Sequence, residues 1–355
     1  MISPPPSPAW IAVVIAAHNS DRFIDETLAS LIDQDFEDWV CTVVDDGSVD
    51  ETASRVETFA AKDSRISLLA SCHAGVSAAR NLGLSSVDTE IPYVMFLDSD
   101  DTLIPDALGS LLDLLAGRPD AVGAYGLADN MDLEGRPMPG GAHSDVQRRR
   151  RVFAGPLRTR LLGPYEDANF ESLAVYGNIW PPGVALVRAS EARSAGGFLE
   201  ELAFLEDWDF FLRVARSGPL VPLDRQVVWY RRRPADMVGP ADFRFFRSVA
   251  TVRHHVWQSA LTTPEQRRTL VRSHRRQHAS VVIQTLGSLH RPPPSRPVLG
   301  YAVRGLALAA YAAAVAVKGR PTPARGLLWK AASELDRRYG RLPKSSDPPV
   351  AAPAP

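Results

Sequence analysis

Three clusters of carboxylates stand directly after apolar runs, and their types suit metal and proton chemistry. In "IPYVMFLDSDD" (Ile91–Asp101), a run of strand formers ends abruptly in Asp98, Asp100 and Asp101. Like charges held so close cost free energy unless something positive sits among them. Hard carboxylate oxygens suit Mg²⁺ or Mn²⁺, which bind through one or two carboxylates plus substrate phosphates. Side chains alternate along a strand, so Asp98 and Asp100 share a face while the extended conformation lasts; the same residues also read as a cap for the next helix. In "VVDDGSVDET", Asp45 and Asp46 end a second apolar run. In "FLEDWDFF", Glu206, Asp207 and Asp209 open a helical pattern. A placed carboxylate can take the proton of an attacking hydroxyl, and a like-charged neighbour raises its pKa toward a useful value. Asp209 lies two residues beyond Asp207 and so on another helix face. Trp208, Phe210 and Phe211 argue against a solvated acidic face, because exposing so many rings is costly.

These clusters need elements to hold them. "WIAVVIAAHN" reads as a buried strand over Trp10–Ala16, followed by helical spacing at Phe23, Ile24, Leu28, Leu31 and Ile32 with Ser20 or Asp21 as N-cap. "WVCTVV" is a second strand, and Ser48 with Glu51 forms a capping box for a helix that runs to about Lys62. "RISLLA", Tyr93–Leu97 and "DAVGAY" are further strands; "GVSAARNLGLSS" is a helix, and Thr102 and Pro105 suit the cap and first turn of another. Alternation at this interval predicts a doubly wound, mostly parallel α/β sheet, in which ligands sit beyond the C-terminal strand ends. Asn19, "DDGS" and "DSDD" all follow strands, so three strand ends converge on one crevice.

Taken in order, the motifs resemble those of the family 2 glycosyltransferases, over about Ile11 to Tyr230. "VVIAAHN", "VVDDGSVDET", "HAGVSAARNLGL", "MFLDSDD" and "GGFLEELAFLEDWDFFLRVA" stand where that family has its first strand and turn, nucleotide signature, Gly-x-x-x-Ala-Arg-Asn segment, metal motif and acceptor-side helix. The resemblance implies the GT-A fold, Rossmann-like and flanked by helices, and an inverting transfer from a nucleotide-sugar donor of UDP or dTDP type to a hydroxyl acceptor. By the same resemblance, Asp46 accepts from the N–H of a pyrimidine base, with Asp45 supporting it from the same turn. Ala16, His18, Asn19 and Asp98 belong to the nucleotide site, and Asp98 takes the ribose. Arg80 faces the diphosphate or ribose, or forms a salt bridge. Asp100 or Asp101 holds the cation. Asp207 is the general base and Glu206 orients it. Trp180, in "NIWPPG", is a sugar platform or a core residue, and Asp209 stands on the acceptor side. Asn81 caps or braces its loop. The match fails at "YRRRPADM", where Arg233 replaces an expected histidine; arginine cannot ligate a cation, so the metal arrives with the nucleotide.

The rest of the chain bounds these readings. It has 355 residues, with 40 Lys and Arg against 41 Asp and Glu. This near balance gives no global field for a nucleic-acid or an acidic partner. Cys41 and Cys72 exclude a disulfide framework and read as reduced core residues. "MISPPPSPAW" is no secretory signal, and "GLALAAYAAAVAV" is too short to span a bilayer, so the expected location is cytoplasmic or peripheral to the inner membrane face. The expected division is a disordered start (1–9), a glycosyltransferase domain (10–235, with nucleotide half 10–126 and acceptor half 127–235), a helical C-terminal region (236–342) and a disordered tail (343–355). The run Arg148–Arg151 reads as a solvated loop or helix face, or a phosphate contact. The C-terminal helices pack on the catalytic domain, pair two copies, or rest on a membrane near a lipid-linked or saccharide acceptor. Two rival readings are a sugar nucleotidyltransferase, which would need a glycine-rich phosphate loop absent from "AAHNSDRF", and a non-catalytic nucleotide-sugar-binding or assembly protein.

Overall fold

The computed structural model describes residues 9–138, 151–154, 159–175, 179–202, 204–232 and 243–289. The readings made for Arg148–Arg150, Arg233 and the apolar stretch Gly305–Val317 lie outside these residues. In chain order the elements are β1 (Ile11–Ala17), α1 (Ile24–Ile32), β2 (Trp39–Asp45), α2 (Thr52–Ala60), β3 (Ile66–Ala70), α3 (Val76–Ser86), β4 (Tyr93–Asp98), β5 (Thr102–Leu103), α4 (Ala107–Ala116) and β6 (Gly123–Met131). Then follow β7 (Arg151–Phe153), β8 (Thr159–Leu161), α5 (Phe170–Val175), β9 (Ala185–Arg188), α6 (Ala189–Ser194), α7 (Glu206–Val214), β10 (Leu220–Arg231), α8 (Phe243–Gln258) and α9 (Pro264–Leu289).

Eight strands form one sheet in the order β3-β2-β1-β4-β9-β6-β10-β5, with β7 and β8 as a separate hairpin. The first four are parallel, while β9 runs against both β4 and β6. A parallel strand covered on both faces needs apolar residues at every position, and "IAVVIAA" supplies them: Ile11, Val13, Val14 and Ile15 are wholly buried. From β1 the chain winds outward through β2 and β3, then returns to place β4 on the other side. The C-terminal end of β1 is therefore a switch point, where such sheets open a crevice. Register sets Ala17 opposite Asp45 on one flank and Ala16 opposite Asp98 on the other. That pairing brings two of the acidic clusters to the same tip.

Helices cover the sheet through single apolar stripes, as with Ile24, Leu28 and Leu31 of α1. Helix α3 sits unusually close. A Cβ on Gly83 would stand 2.3 Å from Cγ1 of Val14, so only glycine lets α3 lie this near β1. Arg80, one turn earlier on α3, is thereby carried under the strand tips.

Several local expectations change. Helix α1 begins at Ile24, because the chain first makes a turn in which Ser20 O accepts from the N–H groups of Phe23 and Ile24. The capping box does not form. Ser48 Oγ donates to Asp45 Oδ1 instead, and Asp50 Oδ1 accepts from Thr52 N at 3.0 Å. Thr102 belongs to the short strand β5, and the next helix starts only at Ala107. Cys72 is exposed, whereas Cys41 is buried and burial pushes its thiol up. Beyond Leu127 the chain holds the rest of β6, the β7–β8 hairpin and α5.

Candidate active site

The tips of β1, β2 and β4 are tied to one another by side chains. Ser20 Oγ and Ser99 Oγ meet at 2.7 Å, Thr27 Oγ1 donates to Ser99 O, and Asn19 N donates to Ser48 Oγ. His18 Nδ1 reaches Asp46 O at 2.8 Å, and the rings of His18 and His73 lie 4.3 Å apart, both exposed on the crevice side of this turn. Ala16 is half-buried at the last turn of β1 between the two acidic clusters.

Asp46 is engaged within the protein. It is buried, and its Oδ1 accepts from Ser71 Oγ (2.9 Å) and Ala74 N (2.8 Å) while Oδ2 accepts from Gly75 N (2.7 Å). Burial pushes its pKa upward, but these donors outweigh that and hold it below the ordinary carboxylate value. Asp46 is a tie that folds the 71–75 loop over β2, and most of its acceptor capacity is used within the protein. Asp45 likewise holds its own turn through Ser48.

The acidic turn after β4 is compensated by two buried arginines. Arg80, 3 % exposed, donates from Nη2 to Asp98 Oδ1 at 2.6 Å and from Nη1 to Glu206 Oε1 at 3.0 Å. Burial alone would lower its pKa; Asp98 and Glu206 raise it instead. Of the two roles expected for Arg80, the salt bridge is the one present: both its terminal nitrogens are engaged by carboxylates, and it bridges β4 to α7. Arg231, wholly buried at the end of β10, was not singled out by sequence. Its N–H donates to Asp101 Oδ1 (2.9 Å), its Nε to Asp100 O (2.8 Å) and its Nη2 to Glu26 Oε2 (2.5 Å). An arginine ending the strand "VVWYR" was the available signal. Asn81 braces a loop, as expected: Nδ2 donates to Phe198 O (2.9 Å) and Oδ1 accepts from Phe198 N (2.7 Å).

Asp101 is fully buried, and its Oδ2 has no hydrogen-bond partner. Burial, then the charges of Asp100 and Asp98, push its carboxyl well above the ordinary range. An orphaned oxygen in a negative field is a place a divalent cation fits. Among the described residues no three His, Cys, Asp or Glu side chains gather to hold a metal. The unpartnered Asp101 oxygen beside Asp100 fits a cation held by one or two carboxylates and completed by phosphate oxygens.

Across the crevice, Leu205 adopts φ 65°, a left-handed conformation unfavourable for a side chain of this size, and α7 begins immediately after it. The bend sets Glu206 and Asp207 at the helix N-terminus, where the dipole favours negative charge. Asp207 is buried, and burial followed by the neighbouring Glu206 pushes its pKa up to about 8, against the pull of Trp208 N–H and Arg80. Asp98 also acts on it, which puts the β4 tip and the α7 tip within electrostatic reach of each other. Trp180 is half-buried beside Tyr230, with ring centroids 4.5 Å apart, and the turn that follows it lays Gly183 against Leu97 of β4. It borders the crevice.

Asp209 does not. It is fully buried, paired with Arg213 Nη2 at 2.5 Å and with His255 Nδ1 at 3.1 Å, so the acceptor-side role expected for it is replaced by a structural one. Asp209→Ala would strand the buried Arg213, and a loss of about 3–5 kcal/mol of stability is expected. Chemical denaturation checks this; an acceptor contact would instead raise KM and leave stability unchanged.

Residues 12–163 match the family model described as glycosyl transferase family 2. An uncharacterised glycosyltransferase of Haemophilus influenzae is 25 % identical over 223 residues, 62 % of this chain and 65 % of its own length. Matches to the curated relatives span from 14 % to 65 % of those proteins. Two solved structures share the fold. TarS 1–349 of S. aureus in complex with UDP-GlcNAc has a TM-score of 0.55 at 18 % identity, over 93 % of this chain and 92 % of that one. A mannosyltransferase from Pyrobaculum calidifontis in complex with GDP-Man and Mn²⁺ has a TM-score of 0.54 at 14 % identity, over 95 % and 89 %.

Proposed function

We infer, from the premise that this chain is a family 2 glycosyltransferase, that it moves a sugar from a nucleotide-diphosphate donor to a hydroxyl acceptor with inversion. The observation that carries this reading is Asp207, a buried carboxyl at the mouth of α7, pushed up to about 8 and within electrostatic reach of Asp98 at the tip of β4. The donor occupies the ends of β1, β2 and β4. Its base lies by the loop that Asp46 closes, with His18, Asn19 and His73 around it; its ribose meets Asp98, and its diphosphate lies toward Asp100 and Asp101. Solved structures of the same fold hold UDP-GlcNAc and GDP-Man with Mn²⁺, in keeping with a pyrophosphate donor here.

Asp100, with the orphaned oxygen of Asp101, would hold Mg²⁺ or Mn²⁺. Such an ion neutralises charge on a departing diphosphate. The remaining work falls to side chains. Asp207 accepts the proton of the acceptor hydroxyl as it attacks the anomeric carbon, and the bond to the diphosphate breaks on the opposite face. Glu206 and Arg80 set the charge around that carboxylate. Trp180 offers a ring edge at the side where the sugars meet.

Calorimetric titration of nucleotide diphosphates with and without Mn²⁺, together with a donor screen, tests this reading. Asp100→Ala is expected to abolish the Mn²⁺-dependent part of nucleotide binding while leaving the metal-free part unchanged. Affinity that stays the same with Mn²⁺ present would remove the metal assignment. A screen in which no nucleotide sugar is turned over, to water or to any glycan, would sink the transferase reading.

A further inference from the structure

Helix α9 carries two stripes. One, Leu270, Ser273 and His274, is buried against the rest of the protein. The other runs through positions 264, 267, 268, 271, 272 and 275, the i, i+3, i+4, i+7 spacing that normally marks an apolar face. Here it reads Pro, Arg, Arg, Val, Arg, Arg. The whole helix holds one carboxylate, Glu265, and it stands off the stripe. Arg267, Arg268, Arg272 and Arg275 line a groove of about 690 Å³ over Trp257 of α8.

The groove is built rather than incidental. Arg267 is held by Trp257 O (3.1 Å) and Ser259 O (3.0 Å), and Arg272 lies over the Phe153 ring at 3.7 Å. Arg268 and Arg275 are exposed. The positive field extends past the helix: Arg151 and Arg276 both donate to Thr159 Oγ1, at 3.3 and 3.1 Å. Burial and the charge of Arg151 lower the pKa of Arg276. The planar forks of these guanidiniums match phosphate and carboxylate oxygens.

We propose that the α8–α9 groove binds an anionic polymer, a chain bearing phosphodiester or carboxylate groups along its length. Its identification as the acceptor glycan rests on the transferase reading; its binding does not. The side chains favour a chain over a bilayer. Along the stripe the aliphatic residue Val271 is half-buried, whereas a bilayer calls for apolar side chains standing beyond the cations. Leu261 is exposed only before the helix begins. A polymer held on α9 would be tethered near α7, since α9 packs on α8 and α8 on α7.

The test uses the full chain and three probes: inorganic polyphosphate, phosphatidylglycerol vesicles and phosphatidylcholine vesicles. Polyphosphate is expected to bind at low salt and to be released by rising NaCl. R268E/R275E is expected to weaken that binding by about tenfold or more, the loss of at least one charge-assisted hydrogen bond. Slow turnover of the sugar donor to water should stay at the wild-type rate, which also reports that the variant is folded. No binding of polyphosphate, or equal binding by the variant, would overturn the proposal. So would capture by phosphatidylglycerol vesicles without polyphosphate binding, which would make a bilayer the occupant. Normal polymer binding with no donor turnover in either protein would refute the transferase reading and leave the groove intact.

Discussion

Asp207→Asn is expected to lower transfer by about 10²–10⁴-fold, the usual contribution of a placed general base, while nucleotide binding stays at the wild-type level. The amide keeps the size of the side chain and cannot take a proton. The pH dependence of the wild type should carry the same signature. In the ligand-free protein Asp207 is pushed up to about 8, so kcat/KM is expected to rise with pH through that region, because the base must be ionised to act. Stability should move the other way. The folded protein keeps a proton that the unfolded chain releases near 3.8. The contribution is fully present below the unfolded value and is lost as pH rises through about 8. Asp101, also raised, adds in the same direction. Asp207→Asn removes its share of that loss and should melt higher than the wild type at pH 8. A variant that transfers sugar at the native rate would end the assignment of the base.

Arg80→Gln should have a large effect on stability and a second one on the pH profile. The guanidinium is almost wholly buried and neutralises Asp98 and Glu206 together. Removing one partner of a buried pair leaves uncompensated charge, worth about 3–5 kcal/mol. Arg80 also pulls the Asp207 pKa down, so its loss should shift the rise in kcat/KM to higher pH. Arg80→Lys keeps the charge but lacks the fork that reaches both carboxylates. It should recover part of the stability and return the pH profile toward that of the wild type. Urea denaturation and a pH–rate profile measure the two effects separately. If Arg80→Gln loses activity with an unmoved profile and unchanged stability, Arg80 contacts the donor directly, the other of the two roles its sequence position allows.

The difference between those two readings of Arg80 marks where sequence stopped being informative. Strand β1 could be read because every residue from Ile11 to Ile15 is apolar, and a two-sided buried strand leaves no other reading. The acidic tips were legible for the same reason: carboxylates directly after such strands have to emerge at an open end. Partners distant along the chain were not legible. Arg80 lies on α3, and its carboxylates lie on β4 and at the start of α7; Arg231 ends β10 and closes the turn after β4. Nothing in local spacing says that these approach one another. Capping was misread at Ser48 for a related reason. A capping serine must accept from a helix N–H, and here the Ser48 oxygen accepts from Asn19 N, a residue of the neighbouring strand tip, while its hydroxyl donates to Asp45.

The sequence by itself determined the α/β alternation, the strands that would be buried on both faces, and the acidic motifs at their ends, because periodicity and burial act over a few neighbouring residues. Only the tertiary structure decided which charges neutralise which. It turned Asp46 into a loop tie and Asp209 into the partner of Arg213, and it left Asp207 raised and an Asp101 oxygen unpartnered. The physical reason is desolvation: whether a carboxylate is a base, a ligand or a brace depends on the water and counter-charges removed from around it, and those come from segments far away in the chain.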